Sequence, residues 1–308
     1  YGTAENYRAP GGDVRGTEFI KKGICFKREA PVFGMQHRGI TPGGPMDRFS
    51  CIEGNILLGN DFYSPCLEII AAPVIKFNVN GIFVFTGAPL EGSFLEREEK
   101  SFEVKHRYVY KVKAGDVLTA GKRSKGFRSY LCFRESGNIS DGQIESVNSL
   151  DVKPDYSWYS RDGFIRVMEG PEFRYLKNEG DFFSALWKIS AESNDMGMRL
   201  TSGHTGLEAD IDNMISDAVA DGTIQLTPAG PIILMRHRQT LGGYPRIFNC
   251  ISADIDLLAQ YIPGQVLKFR KTDFSQARSA AAAAGNFLNL LRKETGVCYA
   301  NKTGFMPD

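Results

Sequence analysis

The chain has 308 residues, of which 37 are basic, 36 are acidic and 42% are hydrophobic. At roughly 150 residues per domain, this length predicts about two domains and allows a large core without disulfides. The balanced charge argues against nucleic acid or an anionic membrane surface as a partner, and no apolar run approaches the ~20 residues that span a bilayer.

We assign residues 1–15 to a loose N-terminal arm and residues 16–135 to a β-barrel-like first half. Residues 75–79 alternate between apolar and polar side chains, which is the period of a half-buried strand. The dipeptide Asn80-Gly81 follows and favours a tight turn into the apolar run of residues 82–85. We therefore expect these two strands to form a hairpin.

A helix is predicted after residue 47. Asp47 is a suitable N-cap, and Gly59-Asn60 is a suitable stop signal. The apolar face between them consists of Phe49, Ile52 and Ile56.

A basic stretch precedes the strand predicted at residues 129–133; its members are Lys122, Arg123, Lys125 and Arg128. Such a stretch is typical of a solvated hairpin, but it would also suit contact with an anion or an acidic partner.

Residues 136–161 are rich in Ser, Asp, Gly and Asn, which indicates a linker. A second β-barrel-like half is predicted at residues 162–271, with strands at residues 164–167, 187–189, 223–226, 232–235 and 266–269 and a short helix near Ser252. Residues 272–308 should form a C-terminal helix and tail that dock on the body or on another subunit. Asp273 and Gln276 could form its capping box, and its apolar face would consist of Phe287, Leu290 and Leu291.

The six cysteines are Cys25, Cys51, Cys66, Cys132, Cys250 and Cys298, and no two of them form a Cys-x-x-Cys pair. We interpret them as small buried hydrophobic residues in a reducing cytoplasm. The Cys and His spacing that a zinc site requires is missing, so no metal is predicted.

Residues 34–47 form the first polar cluster, in which Gly and Pro residues permit close backbone approach to a ligand. Gln36, His37 and Asp47 could then face a substrate. Alternatively, Asp47 only caps the helix and His37 is an ordinary polar residue.

Residues 193–200 and 222–231 are further candidates. Asp195 and Arg199 could pair with each other, or Arg199 could hold a carboxylate or phosphate through its planar guanidinium. Gln225 lies in an otherwise apolar strand and is either an outward polar residue or an amide aimed into a pocket.

The densest polar run covers residues 236–246. Arg238, Gln239, Thr240 and Tyr244 supply donors and acceptors that suit an amide or a carboxylate, and Gly242-Gly243 could offer backbone N–H groups to an anion. The alternative is a polar hairpin tip. No phosphate-binding loop, nucleophile elbow or zinc-protease motif occurs in the chain.

These motifs resemble the biotin-dependent carboxyltransferase-like family, also called allophanate hydrolase subunit 2, whose bacterial members include the C subunit of 5-oxoprolinase. The matching segments occur in family order: Gln36-His37-Arg38-Gly39, Gly44-Pro45-Met46-Asp47, Gly59-Asn60-Asp61, Leu67-Glu68, Phe85-Thr86-Gly87-Ala88, Ala114-Gly115-Asp116, Asp195-Met196-Gly197-Met198-Arg199-Leu200, Gly222-Thr223-Ile224-Gln225, Arg238-Gln239-Thr240-Leu241-Gly242-Gly243-Tyr244-Pro245 and Ile251-Ser252-Ala253-Asp254.

The resemblance implies a mainly β, cyclophilin-like barrel architecture and a cytoplasmic enzyme that is not autonomous. Such a chain works with a partner that resembles the B subunit of 5-oxoprolinase, in a complex that uses ATP to open 5-oxoproline to glutamate. An alternative follows from the related urea carboxylases, in which the chain would be the carboxyltransferase component of a biotin-dependent urea or amide carboxylase. Biotin would be a cofactor only under this alternative.

Under this resemblance, Asp47, Arg238 and Tyr244 are the expected catalytic residues. Asp47 would be the acid or base with Glu68 behind it, and Arg199 and Arg238 would neutralise negative charge. Substrate binding would fall to Gln36, His37, Glu68, Arg199, Gln225, Gln239, Thr240 and Gly243.

The chain departs from the family at two elements. Residues 28–32 read Arg-Glu-Ala-Pro-Val where members usually carry Gln-Asp-x-Gly-Arg, and the Gly-Ser-Arg-Ser-Thr element between the halves is missing. A second alternative is therefore a non-catalytic partner-binding or regulatory protein of the same fold.

Overall fold

The computed structural model describes residues 16–136, 163–203, 206–211 and 214–295. The predicted arm, nearly all of the predicted linker, and Cys298 with the rest of the tail lie outside the described residues. Every strand pair found within the described ranges joins two strands of the same half, either before residue 136 or after residue 163.

The strands of the first half are β1 (Thr17–Lys21), β2 (Ile24–Arg28), β3 (Cys66–Ala71), β4 (Val74–Phe77), β5 (Gly81–Gly87), β6 (Leu90–Glu91), β7 (Ser93–Arg97), β8 (Lys100–Val104), β9 (Tyr110–Val112), β10 (Val117–Thr119), β11 (Lys122–Arg123) and β12 (Ser129–Glu135). They form two five-stranded sheets, in the orders β1-β4-β10-β7-β8 and β2-β3-β12-β5-β9. Both sheets pack on one core of aromatic and aliphatic side chains, including Phe77, Phe83, Phe85 and Leu95.

The predicted hairpin across Asn80-Gly81 is wrong. Strand β4 pairs with β1 and β10, whereas β5 pairs with β12 and β9 in the other sheet. Gly81 is the first residue of β5 rather than a turn residue, and a Cβ there would clash with the Phe133 ring and the Arg134 carbonyl. The dipeptide therefore carries the chain from one sheet to the other.

The second half contains β13 (Phe164–Glu169), β14 (Leu176–Lys177), β15 (Trp187–Ile189), β16 (Gly197–Thr201), β17 (Glu208–Ala209), β18 (Asp217–Ala218), β19 (Thr223–Thr227), β20 (Gly230–Leu234), β21 (Leu241–Gly242), β22 (Arg246–Cys250) and β23 (Val266–Lys271). Seven of them close into a barrel in the order β13-β22-β19-β20-β16-β15-β23. Phe182 stacks in the barrel core on Phe248 and Phe269, each with ring centroids 4.5 Å away. The predicted mainly β barrel class is confirmed.

Four α-helices occur in the described part of the chain: α1 (Arg48–Leu58), α2 (Glu179–Ser184), α3 (Ser252–Leu258) and α4 (Phe274–Glu294). Short 3₁₀ turns cover Gln36–Arg38 and Phe173–Tyr175. Helix α1 has the predicted caps: the Asp47 carboxylate accepts from the Ser50 N–H, and Gly59 has a φ of 71°.

Helix α4 docks on the body, which is one of the two predicted alternatives. Its Phe287, Leu288 and Leu291 pack against the apolar face of α1, whereas Leu290 is half exposed. The Asp273 carboxylate accepts from the Gln276 N–H, but the Gln276 side chain bonds Thr272 instead of completing the capping box. The C-terminal helix thus ties the end of the second half to the first half.

The five cysteines in the described part of the chain are buried and free, as predicted for small hydrophobic residues. Among the described residues, no group of three or more His, Cys, Asp or Glu side chains is arranged to hold a metal ion. No helix of the described part is long and apolar enough to cross a membrane.

Candidate functional site

A cavity of about 430 Å³ lies on the outer face of the barrel wall, over β16, β19 and β20; we call it the barrel-wall cavity. Four residues singled out by the sequence line it: Arg199, Gln225, Gln239 and Tyr244. Its remaining wall includes Glu192, Asn194, Met196, Thr227 and Ile232. The cavity is therefore built by the second half alone.

Strand alternation places Gln225 in this cavity. Its neighbours Ile224 and Leu226 belong to the barrel core, so the Gln225 side chain points outward. Outside the barrel it is still covered, with 1% of its surface exposed, because segment 239–244 folds over it. Both alternatives given for Gln225 therefore apply, because its side chain faces away from the barrel core and into a pocket.

The Gln225 amide is held at one end. Its Nε2 donates to the Tyr244 carbonyl at 3.1 Å, which leaves Oε1 as an acceptor for a ligand N–H. A Cβ at Gly242 would clash with this amide, so glycine is required there for close packing. Gly242 also lies in strand β21, where it pairs with Asp217 of β18, and the anion cradle expected from Gly242-Gly243 stays a prediction.

The other polar groups lie around the cavity mouth. Tyr244, Gln239 and Arg199 are exposed, and Thr240 and Gly243 follow the same segment without lining the cavity. Arg199 approaches Glu192 at 4.0 Å and does not pair with Asp195, which binds arginines of the first half. Arg199 is thus the cation best placed to meet an incoming anion.

Arg238 is placed at the junction between the halves and not in the cavity. It is 2% exposed, donates to the Val219 carbonyl, and pairs with Asp221 Oδ1 at 2.6 Å. Arg236 beside it pairs with Asp221 at 3.1 Å and with Asp256 at 2.6 Å. We call this set the junction cluster: Arg48, Asp221, Arg236, Arg238 and Asp256.

Asp47 is buried next to the junction cluster and does not line the barrel-wall cavity. Its carboxylate accepts from the Ser50 N–H, from the Ser50 hydroxyl at 2.6 Å and from Gln260 Nε2 at 2.7 Å. Burial, and secondly the charge of Asp256, raises the pKa of Asp47 from its ordinary value of 3.8 to about 7. The structure therefore fits the helix-capping alternative, since only 1% of the surface of Asp47 is exposed.

Glu68 lies behind Asp47, as the resemblance implies. Its Oε2 accepts from the Tyr130 hydroxyl at 2.8 Å, and the same hydroxyl accepts from the Asp47 N–H. Its Oε1 accepts from Arg28 Nη2 at 2.6 Å. Glu68 is fully buried, so it connects strands and the helix start without contacting a ligand.

Segment 36–47 does not line the barrel-wall cavity, although Gln36, His37 and Asp47 were candidates for facing a substrate. Gln36 and His37 lie on an exposed 3₁₀ turn. The following residues pack on the junction cluster and on the neighbouring His237: Thr41 Oγ1 accepts from Arg238, and the Gly44 carbonyl accepts from His237 Nε2 at 3.0 Å. This packing turns the segment away from the barrel-wall cavity.

Sequence reasoning missed the residues that join the halves across long separations. Arg128, which lies in a stretch typical of a solvated hairpin, is 4% exposed and pairs with Asp195 at 3.0 Å. Arg28, in the stretch that departs from the family, pairs with the same Asp195 and with Glu68. The one sequence signal for this arrangement is the alternative that the basic stretch before residue 129 contacts an anion or an acidic partner.

Comparison with known proteins adds to this geometry. A family model described as "Carboxyltransferase domain, subdomain A and B" matches residues 38–141 and 138–271. The chain is 28% identical to the C subunit of 5-oxoprolinase from Haemophilus influenzae, over 85% of this chain and 92% of the relative. Its identity to the same-named protein of Escherichia coli is 29%, over 80% and 88%. Urea amidolyase of Saccharomyces cerevisiae is 25% identical, over 78% of this chain and 16% of the relative.

Solved structures agree on the fold. The urea carboxylase of Kluyveromyces lactis superimposes with a TM-score of 0.73 at 21% identity, over 88% of this chain and 29% of that one. The K. lactis urea amidolyase gives 0.71 at 21% identity, over 88% and 20%. The chain thus spans less than a third of either solved protein, and the likeness concerns the fold alone.

Proposed function

Since this chain belongs to the carboxyltransferase domain family, we propose that it is a non-autonomous subunit of an ATP-dependent complex of the 5-oxoprolinase type. Two relatives that it matches over 92% and 88% of their own lengths are named as the C subunit of 5-oxoprolinase. The observation that carries the proposal is the convergence of Arg199, Gln225, Gln239 and Tyr244 on one small cavity.

The donor set of the barrel-wall cavity suits a small cyclic amide that bears a carboxylate. Gln225 Oε1 would accept the ring N–H, and the Tyr244 hydroxyl or the Gln239 amide would donate to the ring carbonyl. Arg199 would meet the carboxylate with its planar guanidinium. In the ring opening, water adds to the carbonyl carbon and the C–N bond breaks, leaving a carboxylate and an amine.

We assign supporting roles to Asp47, Glu68 and Arg238. Arg238 fixes the start of the segment that runs over Gln225, because its guanidinium is held by Asp221 and the Val219 carbonyl. Asp47 and Glu68 hold the start of α1 against the junction. Under this proposal, substitutions of Asp47, Glu68 or Arg238 lower activity because they displace segment 238–245, and not because they remove a group that transfers a proton.

The cavity residues do not fit a nucleoside triphosphate. Of the described residues that line the cavity, Arg199 is the one cationic side chain, and the carboxylate of Glu192 lies beside it. A triphosphate needs several cations or a backbone cradle. ATP would therefore bind to other subunits of the complex and not at this cavity.

We propose that a partner resembling the B subunit of 5-oxoprolinase covers the cavity mouth. Three apolar side chains are exposed beside it: Ile215 at 87%, Leu241 at 57% and Tyr244 at 47%. Gly243 packs close to the Ser216 hydroxyl, which brings Ile215 near Tyr244. Exposed apolar groups around a polar pocket are typical of a surface that another protein covers.

The test is reconstitution of the chain with the two other subunits of a 5-oxoprolinase, those of the A and B types, and an assay of ATP-dependent glutamate release from 5-oxoproline. We expect release, and we expect Tyr244→Phe to lower it by roughly tenfold through loss of one hydrogen bond to the carbonyl. Tyr175→Phe, at a tyrosine outside the cavity, is the matched control and should act like the unmodified chain.

A stable complex that releases no glutamate would sink the enzymatic proposal and leave the partner-binding alternative. Release of glutamate that Tyr244→Phe and Tyr175→Phe affect equally would instead remove the barrel-wall cavity from the reaction.

A further inference from the structure

A second and larger cavity, of about 1180 Å³, lies between the two halves; we call it the junction cavity. The first half contributes Phe19, Phe26, Arg28, Ile70 and Arg128, and the second contributes Asp195, Met198 and Tyr261 among others. Its size is at or above the ~300–1,000 Å³ of typical small-molecule pockets. No role in the proposed reaction uses it.

The charges of this cavity are unequal. Lys22, Lys27, Arg28 and Arg128 line it, whereas Asp195 is the one acidic side chain among the described lining residues. Lys27 is paired with Glu29 outside the cavity, and Glu68 behind the wall neutralises one arginine. An excess of positive charge therefore faces a space whose remaining wall is mostly aromatic and aliphatic, with Ser193, Asn194 and His237 as its other polar side chains.

Arg28 and Arg128 together bind one carboxylate of the protein, that of Asp195. Its Oδ2 accepts from Arg28 Nη2 at 2.6 Å, and its Oδ1 accepts from Arg128 Nη2 at 3.0 Å. The side chains of Arg28 and Arg128 are only 10% and 4% exposed, but that of Asp195 is 29% exposed. A protein carboxylate thus sits at the solvent-accessible side of a buried pair of guanidinium groups.

Arg128 has bonding capacity left. Its Nη1 donates to the Ala259 carbonyl and its Nη2 to Asp195, but its buried Nε has no hydrogen-bond partner and lies 3.6 Å from Glu68 Oε1. A buried donor without a partner costs free energy that a rearranged or added acceptor can recover. The arginine pair is therefore not saturated by the contacts of the protein itself.

We propose that the junction cavity binds a monocarboxylate with an apolar body, whose carboxylate competes with Asp195 for Arg28 and Arg128. The apolar body would lie against Phe19, Phe26 and Met198, which leaves no polar group of the ligand without a partner. The site is separate from the barrel-wall cavity, although Asn194 and Met196 form part of both walls. The proposal does not depend on the reaction proposed above.

The test is titration of the full chain, without partners, with octanoate and with its uncharged analogue octanamide, followed by calorimetry and ligand-observed NMR. Octanoate should bind at least about tenfold more tightly than octanamide, because a charge-assisted bond to arginine is lost in the amide. Asp195→Asn should tighten octanoate binding by about tenfold, since it removes the competing carboxylate. Arg28→Gln should weaken it by about the same factor.

Arg199→Gln is the control for the other cavity and should leave octanoate binding unchanged within about twofold. If Arg28→Gln does not fold, Ile70→Trp, which narrows the junction cavity at its apolar wall, decides in its place and should weaken octanoate binding. The proposal is overturned if octanoate does not bind, if octanoate and octanamide bind alike, if Asp195→Asn fails to tighten binding, or if Arg199→Gln weakens it as much as the junction variants do.

Discussion

The barrel-wall cavity and the junction cluster use the same polar run in opposite ways. Arg236 and Arg238 are buried and bind Asp221 and Asp256 at 2.6–3.1 Å. Segment 239–244 begins one residue later, and its Gln239 and Tyr244 are exposed at a cavity mouth. The same arginines reach the first half, because Arg236 donates to the Met46 carbonyl and Arg238 to the Thr41 hydroxyl. The polar run therefore serves two purposes: its arginines bond across the two halves, and its later residues present groups that a ligand can still use.

The largest effect should come from breaking the junction cluster. Arg236→Met leaves Asp256, Asp221 and the Met46 carbonyl without their shared donor in a buried site. Removal of one partner from such a network typically costs ~3–5 kcal/mol. Urea denaturation should show this loss in the free energy of unfolding.

Lys177→Met is the matched control for Arg236→Met, because Lys177 is half exposed and approaches Asp210 at 3.6 Å. It should change stability by less than ~1 kcal/mol. A loss below ~1 kcal/mol for Arg236→Met would mean that water reaches the junction and that the two regions do not differ as described.

The pH dependence of stability should distinguish Asp47 from the exposed groups of the cavity. The folded-state pKa of Asp47 is raised to about 7 from 3.8 by burial and by Asp256. Its contribution to stability is fully present below pH 3.8 and is lost as the pH rises toward 7, since the unfolded chain releases the proton first.

Asp47→Asn retains an N-cap and removes the titration. The stability difference between the unmodified chain and Asp47→Asn should therefore shift in favour of the variant between about pH 4 and about pH 7.5. Urea midpoints across that range measure the shift, and parallel curves for the two proteins would contradict a raised pKa.

The sequence predicts local features of this fold better than long-range ones. The caps of α1 depend on Asp47 and Gly59, which lie within one helix length of each other, and both are predicted from the sequence. The partners of β4 and β5 could not be predicted from Asn80-Gly81, because pairing with β10 and β12 decides which sheet each strand joins.

The candidate site divides in the same way. Gln225, Gln239 and Tyr244 can be identified because each stands out within its own segment, and the barrel brings the segments together. The pairing of Asp195 with Arg28 spans 167 residues, so the nearby Arg199 was an equally reasonable partner by spacing. Burial separates these cases: the side chains of Arg28 and Arg128 are buried, whereas Arg199 at the cavity mouth remains exposed to solvent.

A smaller effect, expressed in activity alone, is expected for Gln225→Leu. The substitution keeps the volume of the side chain and removes the amide that we propose binds the substrate ring, so the reconstituted complex should lose about 10²-fold in kcat/KM. Stability should change by only ~1 kcal/mol, because a single hydrogen bond to the Tyr244 carbonyl is lost. Gln265→Leu, at an exposed glutamine outside both cavities, is the control. Equal activity in the two variants would show that the cavity does not bind the substrate.

The smallest effect on stability should come from the charges at the cavity mouth, Arg199 and Glu192, which approach each other at 4.0 Å in solvent. Neither Glu192→Gln nor Arg199→Gln should change the free energy of unfolding by more than ~0.5 kcal/mol. Arg199→Gln should nevertheless raise KM for 5-oxoproline by about tenfold with kcat nearly unchanged, because a contact to the substrate carboxylate contributes equally to ground and transition states. Glu192→Gln should lower KM slightly, since it removes a competing anion. If Arg199→Gln instead lowers kcat at constant KM, Arg199 stabilises charge that develops during the reaction. The exposed charges of the cavity would then differ from the buried, paired charges of the junction cluster in catalysis as well as in stability.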